Sequence, residues 1–370
     1  MKPVYFDDLV NLCSELSTNE NKLLPLCAAE NVISPFSKIP LDTFLQEKYI
    51  MGGVINYQQE SNFVGSKNLY KIYELLSLQC NKLYGCKYAD ARTLSGVNAV
   101  MTLLMSLFSS GDTILISSEE CGGHGSMPKI CHRLGINTIE MPYNYDIYDF
   151  NYNEINEILR KEKINGILIC LSDIIIMPQL NKIDLPEECV LIFDATQILG
   201  LIATNSMENP LQWFADKQKF ILMGATHKTL PGPTCGLIMT NNLDLANQFD
   251  TLINPDYLRN SQLHHIFSLI LTLMELEIYG KQYCSSVVNN ANFLATALVK
   301  NNFDIIKVAP KYTYTHQIFI SMPESDARKF YNKCLDYGVS INLRNKKLYK
   351  TCGLRIGCLL YTSDAADERS

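Results

Sequence analysis

Short apolar runs rich in β-branched residues recur along the chain: Thr113-Ile-Leu-Ile-Ser, Gly166-Ile-Leu-Ile-Cys-Leu-Ser, Cys189-Val-Leu-Ile-Phe-Asp, Lys219-Phe-Ile-Leu-Met-Gly and Gly236-Leu-Ile-Met-Thr. They are apolar throughout rather than alternating, which is the pattern of strands buried on both faces. Between them, stretches such as 97–108 and 154–163 repeat apolar residues at helical spacing. Strands that alternate with helices predict an α/β fold, a mostly parallel sheet sandwiched by helices, over about residues 65–250.

From about residue 260 the pattern changes. Two long helical stretches, 262–279 and 281–300, lead into extended segments at 303–307 and 317–322, a helix near 325–337, and short strands near 339–342 and 353–357. This reads as a smaller α+β C-terminal domain. The division expected is an N-terminal helical segment over 1–40, a large α/β domain over 41–255 and the small domain over 256–357. The tail Cys358-Leu-Leu-Tyr-Thr-Ser-Asp-Ala-Ala-Asp-Glu-Arg-Ser resembles translated sequencing-adapter read-through and interrupts a fold element. Residues 358–370 are therefore expected to be non-native, with the natural chain continuing beyond Gly357.

Of the 370 residues, 47% are apolar and 19% charged, enough for a large core. The formal charge of -6, with Lys and Arg scattered singly, gives no footprint for nucleic acid or an anionic membrane surface. A small-molecule partner is expected instead. No apolar run approaches the roughly 20 residues needed to span a bilayer, and the acidic start Met1-Lys-Pro-Val-Tyr-Phe-Asp-Asp lacks a secretory signal pattern, so a cytoplasmic location is expected. The 13 cysteines form no Cys-x-x-Cys pair, and the adjacent His264 and His265 make no ligand constellation. Free thiols and no metal site are expected.

In open α/β sheets ligands gather beyond the carboxyl ends of strands, so polar residues that follow apolar runs are the first candidates for a site. At Leu94-Ser95-Gly96-Val97-Asn98 the chain passes from an extended stretch into a helix, offering free backbone N–H groups and a hydroxyl to a phosphate, or simply a helix cap. Asp194 closes the run Cys189-Val-Leu-Ile-Phe, where a buried carboxylate needs a partner. Lys228 follows Lys219-Phe-Ile-Leu-Met-Gly-Ala-Thr-His, with Pro231-Gly-Pro close behind. A lysine in partly apolar surroundings can lose its proton and act as an amine nucleophile. Taken singly, Asp194 reads as a helix cap and Lys228 as an exposed loop lysine.

Their combination resembles the serine hydroxymethyltransferase family of fold-type I pyridoxal-phosphate-dependent enzymes, over about residues 24–357. The similar segments, in order, are Leu26-Cys-Ala-Ala-Glu-Asn-Val-Ile-Ser-Pro, Thr93-Leu-Ser-Gly-Val-Asn-Ala, Gly122-Gly-His-Gly-Ser, Asp194-Ala-Thr-Gln-Ile-Leu-Gly-Leu-Ile-Ala, Thr226-His-Lys-Thr-Leu-Pro-Gly-Pro and Gly353-Leu-Arg-Ile-Gly. The resemblance implies pyridoxal 5'-phosphate held covalently on Lys228, with His227 and Glu30 completing the catalytic set. It implies that Asp194 pairs with the pyridine nitrogen and His124 stacks on the ring. Ser95, Gly96 and Val97 would cradle the phosphate, Tyr49 would reach it from a partner subunit, and Ser172 and Gln197 would lie by the ring. Arg355 would grip a substrate carboxylate through a bidentate fork, and Asn342 would stand near a pterin. An amino-acid substrate and a homodimer with sites at the subunit interface follow from the same resemblance.

Departures from the family pattern fall on the second-substrate side. Met51 stands where the family has a proton-handling glutamate, with Glu60 as a substitute; Gln197 replaces a histidine, Pro231 an arginine and Ala29 a serine. The segment Asn254-Pro-Asp-Tyr-Leu-Arg-Asn-Ser-Gln replaces a glycine-rich stretch. The expectation is an enzyme that makes or breaks the Cα–Cβ bond of a β-hydroxy amino acid, with tetrahydrofolate-dependent serine–glycine interconversion as the default. Its alternatives are a folate-independent aldolase or transaldolase, and a catalytically silent binding subunit.

Overall fold

The computed structural model describes residues 5–20, 22–55 and 64–359. Its centre is a seven-stranded sheet. In chain order the strands are β1 (Tyr88–Thr93), β2 (Thr113–Ile116), β3 (Asn137–Glu140), β4 (Gly166–Cys170), β5 (Val190–Asp194), β6 (Phe220–His227) and β7 (Pro231–Thr240). In space they run β1-β7-β6-β5-β4-β2-β3. β7 alone runs opposite to its neighbours; the other pairings are parallel, as the apolar runs predict.

The period of two along a strand divides the core. Ile167, Ile169, Leu191 and Phe193 face one side, where they meet the helices α2 (Lys71–Tyr84), α6 (Leu199–Ala203) and the start of α8 (Leu263–Lys300). Leu168, Cys170, Ile192 and Met223 face the other, against α3 (Gly96–Leu107) and α7 (Leu243–Thr251). β4 and β5 are buried at every position, so continuous apolar sequence was the right signature. Among the described residues the other α-helices longer than one turn are α1 (Phe6–Glu20), α4 (Met127–Arg133), α5 (Tyr152–Lys161) and α9 (Glu324–Asp336).

The sequence predicts two helices on either side of Gly280, and the structure joins them in the single 38-residue α8. Glycine costs a helix about 1 kcal/mol relative to alanine. Here it permits close approach, since a Cβ at Gly280 would meet Thr204 Cγ2 at 2.5 Å, just beyond α6. The far half of α8 packs Ala291 and Ala295 on a four-stranded antiparallel sheet of β8 (Asp304–Ile305), β9 (Gln317–Ser321), β11 (Gly353–Gly357) and β10 (Asn342–Arg344), in that spatial order. The N-terminal segment crosses onto this unit: Leu24–Pro25 pairs with Val339–Ser340, and Leu26 O accepts from Gly357 N. That crossing carries residues 27–31 to the ends of the central strands.

The expected non-native tail lies outside the described residues except for Cys358 and Leu359, and so does Glu60.

Candidate active site

The carboxyl ends of β4, β5 and β6 bring the chemistry together. Asp194 is the last residue of β5 and is buried. Its Oδ1 accepts from Thr196 N at 2.9 Å and Thr196 Oγ1 at 2.5 Å. Thr196 Oγ1 in turn accepts from Ala225 N at 2.7 Å, which fastens this carboxylate to β6. Among the described residues Oδ2 receives only the thiol of Cys170, 3.0 Å away at the end of β4. Burial pushes that thiol well above its ordinary range and Asp194 adds to the effect, so Cys170 stays a protonated, weak donor. One oxygen of Asp194 is thus locked and the other is open to a stronger donor.

Lys228 follows directly on β6, in the hairpin closed by the pairing of His227 with Pro231. The Asn31 amide donates to the Lys228 carbonyl and to Tyr283 Oη, so the N-terminal segment pins the hairpin. Burial lowers the Lys228 pKa; Asp194 works against this and Arg355 adds to it. The net fall enlarges the neutral, nucleophilic fraction of the amine. His227 is likewise shifted toward its neutral form by burial and by Lys228, and its buried Nδ1 has no hydrogen-bond partner among the described residues.

Ser95 caps α3: its Oγ accepts from Asn98 N at 3.2 Å while Asn98 Oδ1 accepts from Leu94 N at 2.9 Å. The N–H groups of Gly96 and Val97, in the first turn, have no intrahelical acceptor and point out of the helix end. A Cβ at Gly96 would lie 2.9 Å from Ala225 Cβ, so the helix start packs tightly on β6, three residues before Lys228. His124 is held by its own backbone, with N–H donating to Cys170 O at 2.9 Å and ring Nδ1 accepting from Ser126 N at 3.2 Å. This fixes the tautomer with hydrogen on Nε2, and burial favours the neutral ring.

On the other side stands Arg355, 3% exposed, on β11. Its Nη1 donates to Ser172 O at 2.7 Å and to Asp173 Oδ1 at 3.0 Å; Nε and Nη2 donate to Asn342 Oδ1 at 3.2 and 2.9 Å. Four of its five N–H donors are therefore engaged within the protein, one remains on Nη2, and the expected two-pronged grip requires one of these bonds to open. Asn342 also touches Cys27 Sγ at 3.5 Å. Gln197 Oε1 accepts from Gln317 Nε2 at 3.0 Å, and Gln317 Nε2 also donates to Ser172 O at 3.1 Å. The Gln197 amide is thereby oriented to donate from Nε2.

Lys228, His227, Asp194, Gln197, Ser172, Asn342 and Arg355 thus form one cluster, with Ser95, Gly96, Val97 and His124 on the elements beside it. Two further expected residues are exposed: Glu30, which adjoins the Asn31 that binds the Lys228 carbonyl, and Tyr49, 41% exposed, which was expected to serve the site of a partner subunit. The Met51 segment is held rigidly, since buried Arg92 Nη1 donates to Gly52 O at 2.8 Å and Asp250 accepts from Val54 N and Ile55 N. Sequence reasoning passed over Asn31, Cys170, Thr196, Asp173 and Gln317. Asp173 carried a usable signal, because it lies three residues beyond the end of the buried strand β4. Asn31 and Gln317 become visible only through contacts made across the fold. Among the described residues no group of His, Cys, Asp and Glu is arranged to hold a metal ion.

These residues fit pyridoxal phosphate. A half-buried amine of lowered pKa, a carboxylate with one oxygen open, an imidazole nitrogen lacking a partner and a helix start with free N–H groups complement its aldehyde, ring nitrogen, ring substituents and phosphate.

Comparison with known proteins agrees with the geometry. A family model described as serine hydroxymethyltransferase matches residues 5–369. Serine hydroxymethyltransferase from Staphylothermus marinus is 28% identical over 314 residues, covering 82% of this chain and 69% of that protein. The Thermoplasma volcanium protein of the same name is 29% identical over 361 residues, covering 93% and 83%. Among solved structures, L-threonine transaldolase from Pseudomonas fluorescens superposes with a TM-score of 0.87 at 22% identity, covering 95% of this chain and 81% of that one. At that identity the likeness bears on the fold, which is that of the pyridoxal-phosphate enzymes of fold type I.

Proposed function

The chain belongs to the serine hydroxymethyltransferase family and is a pyridoxal-phosphate-dependent enzyme of that type, and from that premise we propose that it makes or breaks the Cα–Cβ bond of a β-hydroxy amino acid, with tetrahydrofolate-dependent serine–glycine interconversion as the default reaction. The observation that supports this reading is the placement of Asp194 at the end of β5 and Lys228 just after β6, with buried Arg355 facing them from β11 through Ser172 and Asp173.

When bound, pyridoxal phosphate supplies an aldehyde for amine capture and a ring that accepts the electron pair released at the substrate α-carbon. The residues around it have separate tasks. Lys228, neutral more often than an exposed lysine, holds the cofactor and can receive a proton at Nζ. The open oxygen of Asp194 would keep the ring nitrogen protonated, and the lock from Thr196 stops that carboxylate from turning away. Gly96 and Val97 N–H with Ser95 would hold the phosphate, while His124, with its tautomer fixed, would lie on the ring face. Arg355 would orient the substrate carboxylate so that the bond to be broken stands perpendicular to the ring. Gln197 would donate from Nε2 beside the ring without titrating.

One observation favours a second reading, folate-independent cleavage or exchange on threonine-like substrates. Met51 sits in a rigidly held segment with its carbonyl accepting from Tyr70 Oη at 2.7 Å. A methionine there cannot move the protons that the family's glutamate handles, whereas retro-aldol cleavage needs only the lysine, the electron sink and the carboxylate clamp.

A homodimer is part of the proposal. Leu9, Val10, Leu12 and Leu16 of α1 lie on the surface with Phe36, Ile39 and Phe44, an apolar area suited to a second copy. A cytoplasmic location is proposed from the absence of disulfides among the described residues. Among those residues no helix is long and apolar enough to cross a membrane.

The test is to supply the purified protein with cofactor and assay L-serine, L-threonine and phenylserine with and without tetrahydrofolate. Strict folate dependence of serine turnover supports the default. Aldehyde release from threonine or phenylserine without folate supports the second reading. Failure to fix cofactor on Lys228 by borohydride reduction sinks both.

A further inference from the structure

Asp173, fully buried, collects three cations. Its Oδ1 accepts from Arg344 Nε at 3.0 Å, Arg355 Nη1 at 3.0 Å and Tyr349 Oη at 3.1 Å, and its Oδ2 from Lys346 Nζ at 2.8 Å. The Arg355, Lys346 and Arg344 side chains are 3%, 10% and 25% exposed. One buried carboxylate facing three cations leaves two positive charges unmatched. A network serving stability alone is expected to balance its charges, because unpaired charge removed from water is costly. An amino-acid carboxylate on Arg355 supplies one missing negative charge.

The donor inventory shows where a second would go. Arg355 has one N–H left, and Lys346 also binds Gly123 O at 3.2 Å. Arg344 is tied only through Nε, and its two Nη groups have no partner among the described residues. Arg344 lies two residues beyond Asn342 on β10, hence on the same face, and Asn342 is paired with Arg355 across β11. Arg344 Nε and Arg355 Nη1 each lie 3.0 Å from one oxygen, so they are within about 6 Å of each other. The two guanidinium groups are therefore neighbours, close enough for their remaining Nη donors to meet the two acid groups of one small dicarboxylic amino acid.

We propose that Arg344, oriented by Asp173 beside Arg355, is a specificity residue that pairs with a second carboxylate on the substrate, so that within the β-hydroxy amino-acid class those with an acid group beyond Cβ are preferred over serine and threonine. The inference rests on the reading of Arg355 as the grip on the α-carboxylate. The planar Nη edge of Arg344 matches a carboxylate bidentately, and its partial burial strengthens the pairing.

The test follows absorbance of the bound cofactor in the full-length, cofactor-loaded protein during titration with glycine, L-alanine and L-aspartate. L-Aspartate differs from L-alanine by one carboxylate, so their Kd ratio isolates the second charge. The expected ratio is about tenfold or more in favour of L-aspartate. Arg344→Gln should bring it close to one, and Arg344→Lys, which keeps the charge but loses the fork, should leave it in between. A ratio near one in the native protein overturns the proposal. So does an unchanged ratio in Arg344→Gln with only a lowered Tm, the mark of a purely structural arginine. If Arg344→Gln does not fold by circular dichroism, Arg344→Lys decides, and an undiminished ratio there counts against the fork. A native protein that responds to none of the three amino acids fails the broader functional reading, and this inference with it; a response to glycine without preference for L-aspartate fails only the inference.

Discussion

Replacing Asp173 by Asn removes the single negative charge on which Arg344, Lys346 and Arg355 converge while keeping the shape of the side chain. Asn can still accept on one oxygen, but its NH2 group would face cationic donors. Removing one partner of a buried ion pair typically costs about 3–5 kcal/mol. With an unfolding entropy of about 2.1 cal/mol/K per residue, 370 residues give roughly 0.8 kcal/mol/K, so Tm should fall by about 4–6 °C. The pH dependence has a definite sign. Burial opposes ionisation of Asp173 most strongly, but Arg355, Lys346 and Arg344 together outweigh it and hold the carboxyl below its ordinary value. A depressed carboxyl contributes stability above its unfolded pKa of about 3.9 and loses that contribution as pH falls through the folded value. The Tm gap between native and Asp173→Asn should therefore be flat from about pH 5 to 8 and close below about pH 4. Thermal unfolding followed by near-ultraviolet circular dichroism across that range measures both quantities. In the Asp173→Asn, Arg344→Gln double variant, removal of one stranded cation should restore part of the loss, which is a coupling that additivity does not allow. A Tm change under about 1 °C, or strict additivity in the double variant, would refute the claim that Asp173 neutralises this cluster.

Lys228→Ala should abolish turnover and eliminate borohydride-fixed cofactor, measured by mass spectrometry of the peptide containing residue 228. In the native apo-protein, because burial lowers the Lys228 pKa, the rate of cofactor capture should rise with pH along a titration centred below the ordinary lysine value of about 10.4, followed by stopped-flow absorbance; a midpoint at or above that value contradicts the burial argument. Gly96→Ala should push the start of α3 away from Ala225 and weaken cofactor affinity about tenfold or more at unchanged far-ultraviolet circular dichroism, read by fluorescence titration; unaltered affinity would count against the phosphate cradle. Gln197→His should introduce an inflection near pH 6–7 into the rate profile that the native enzyme lacks, because the oriented amide does not titrate.

The central sheet was legible because β4 and β5 are buried on both faces, so their sequences show unbroken apolar runs. β3, mostly exposed at the sheet edge as Asn137-Thr-Ile-Glu, gave no such run and was not anticipated. The division at Gly280 failed because local propensity was weighed without the Thr204 contact that makes glycine useful there. In the site, residues at strand ends such as Asp194 and Lys228 could be named from order alone. Gln317, which acts on Gln197 from 120 positions away, could not.

The distribution of the altered residues has its own consequence. Thr196, Ala225 and Gly96 brace the proposed cofactor side through close contacts, the Thr196 hydroxyl with Ala225 N and the Gly96 backbone against Ala225, that tolerate little change. The proposed substrate side is assembled from β9, β10, β11 and the residues after β4, where Gln317 of β9 reaches Ser172 and Arg344 of β10 reaches Asp173. Changes there preserve the amine and the electron sink while altering which carboxylate and which acceptor fit. Gln197 and Gln317 illustrate the constraint. A neutral amide beside the ring is fixed as a donor only because a second amide occupies its oxygen, so the two glutamines act as one unit. Replacing Gln317 by Leu should free the Gln197 amide to rotate and lower kcat more than it raises KM, since that amide would then present oxygen or nitrogen to the ring at random. A change confined to KM would place the pair in substrate binding instead.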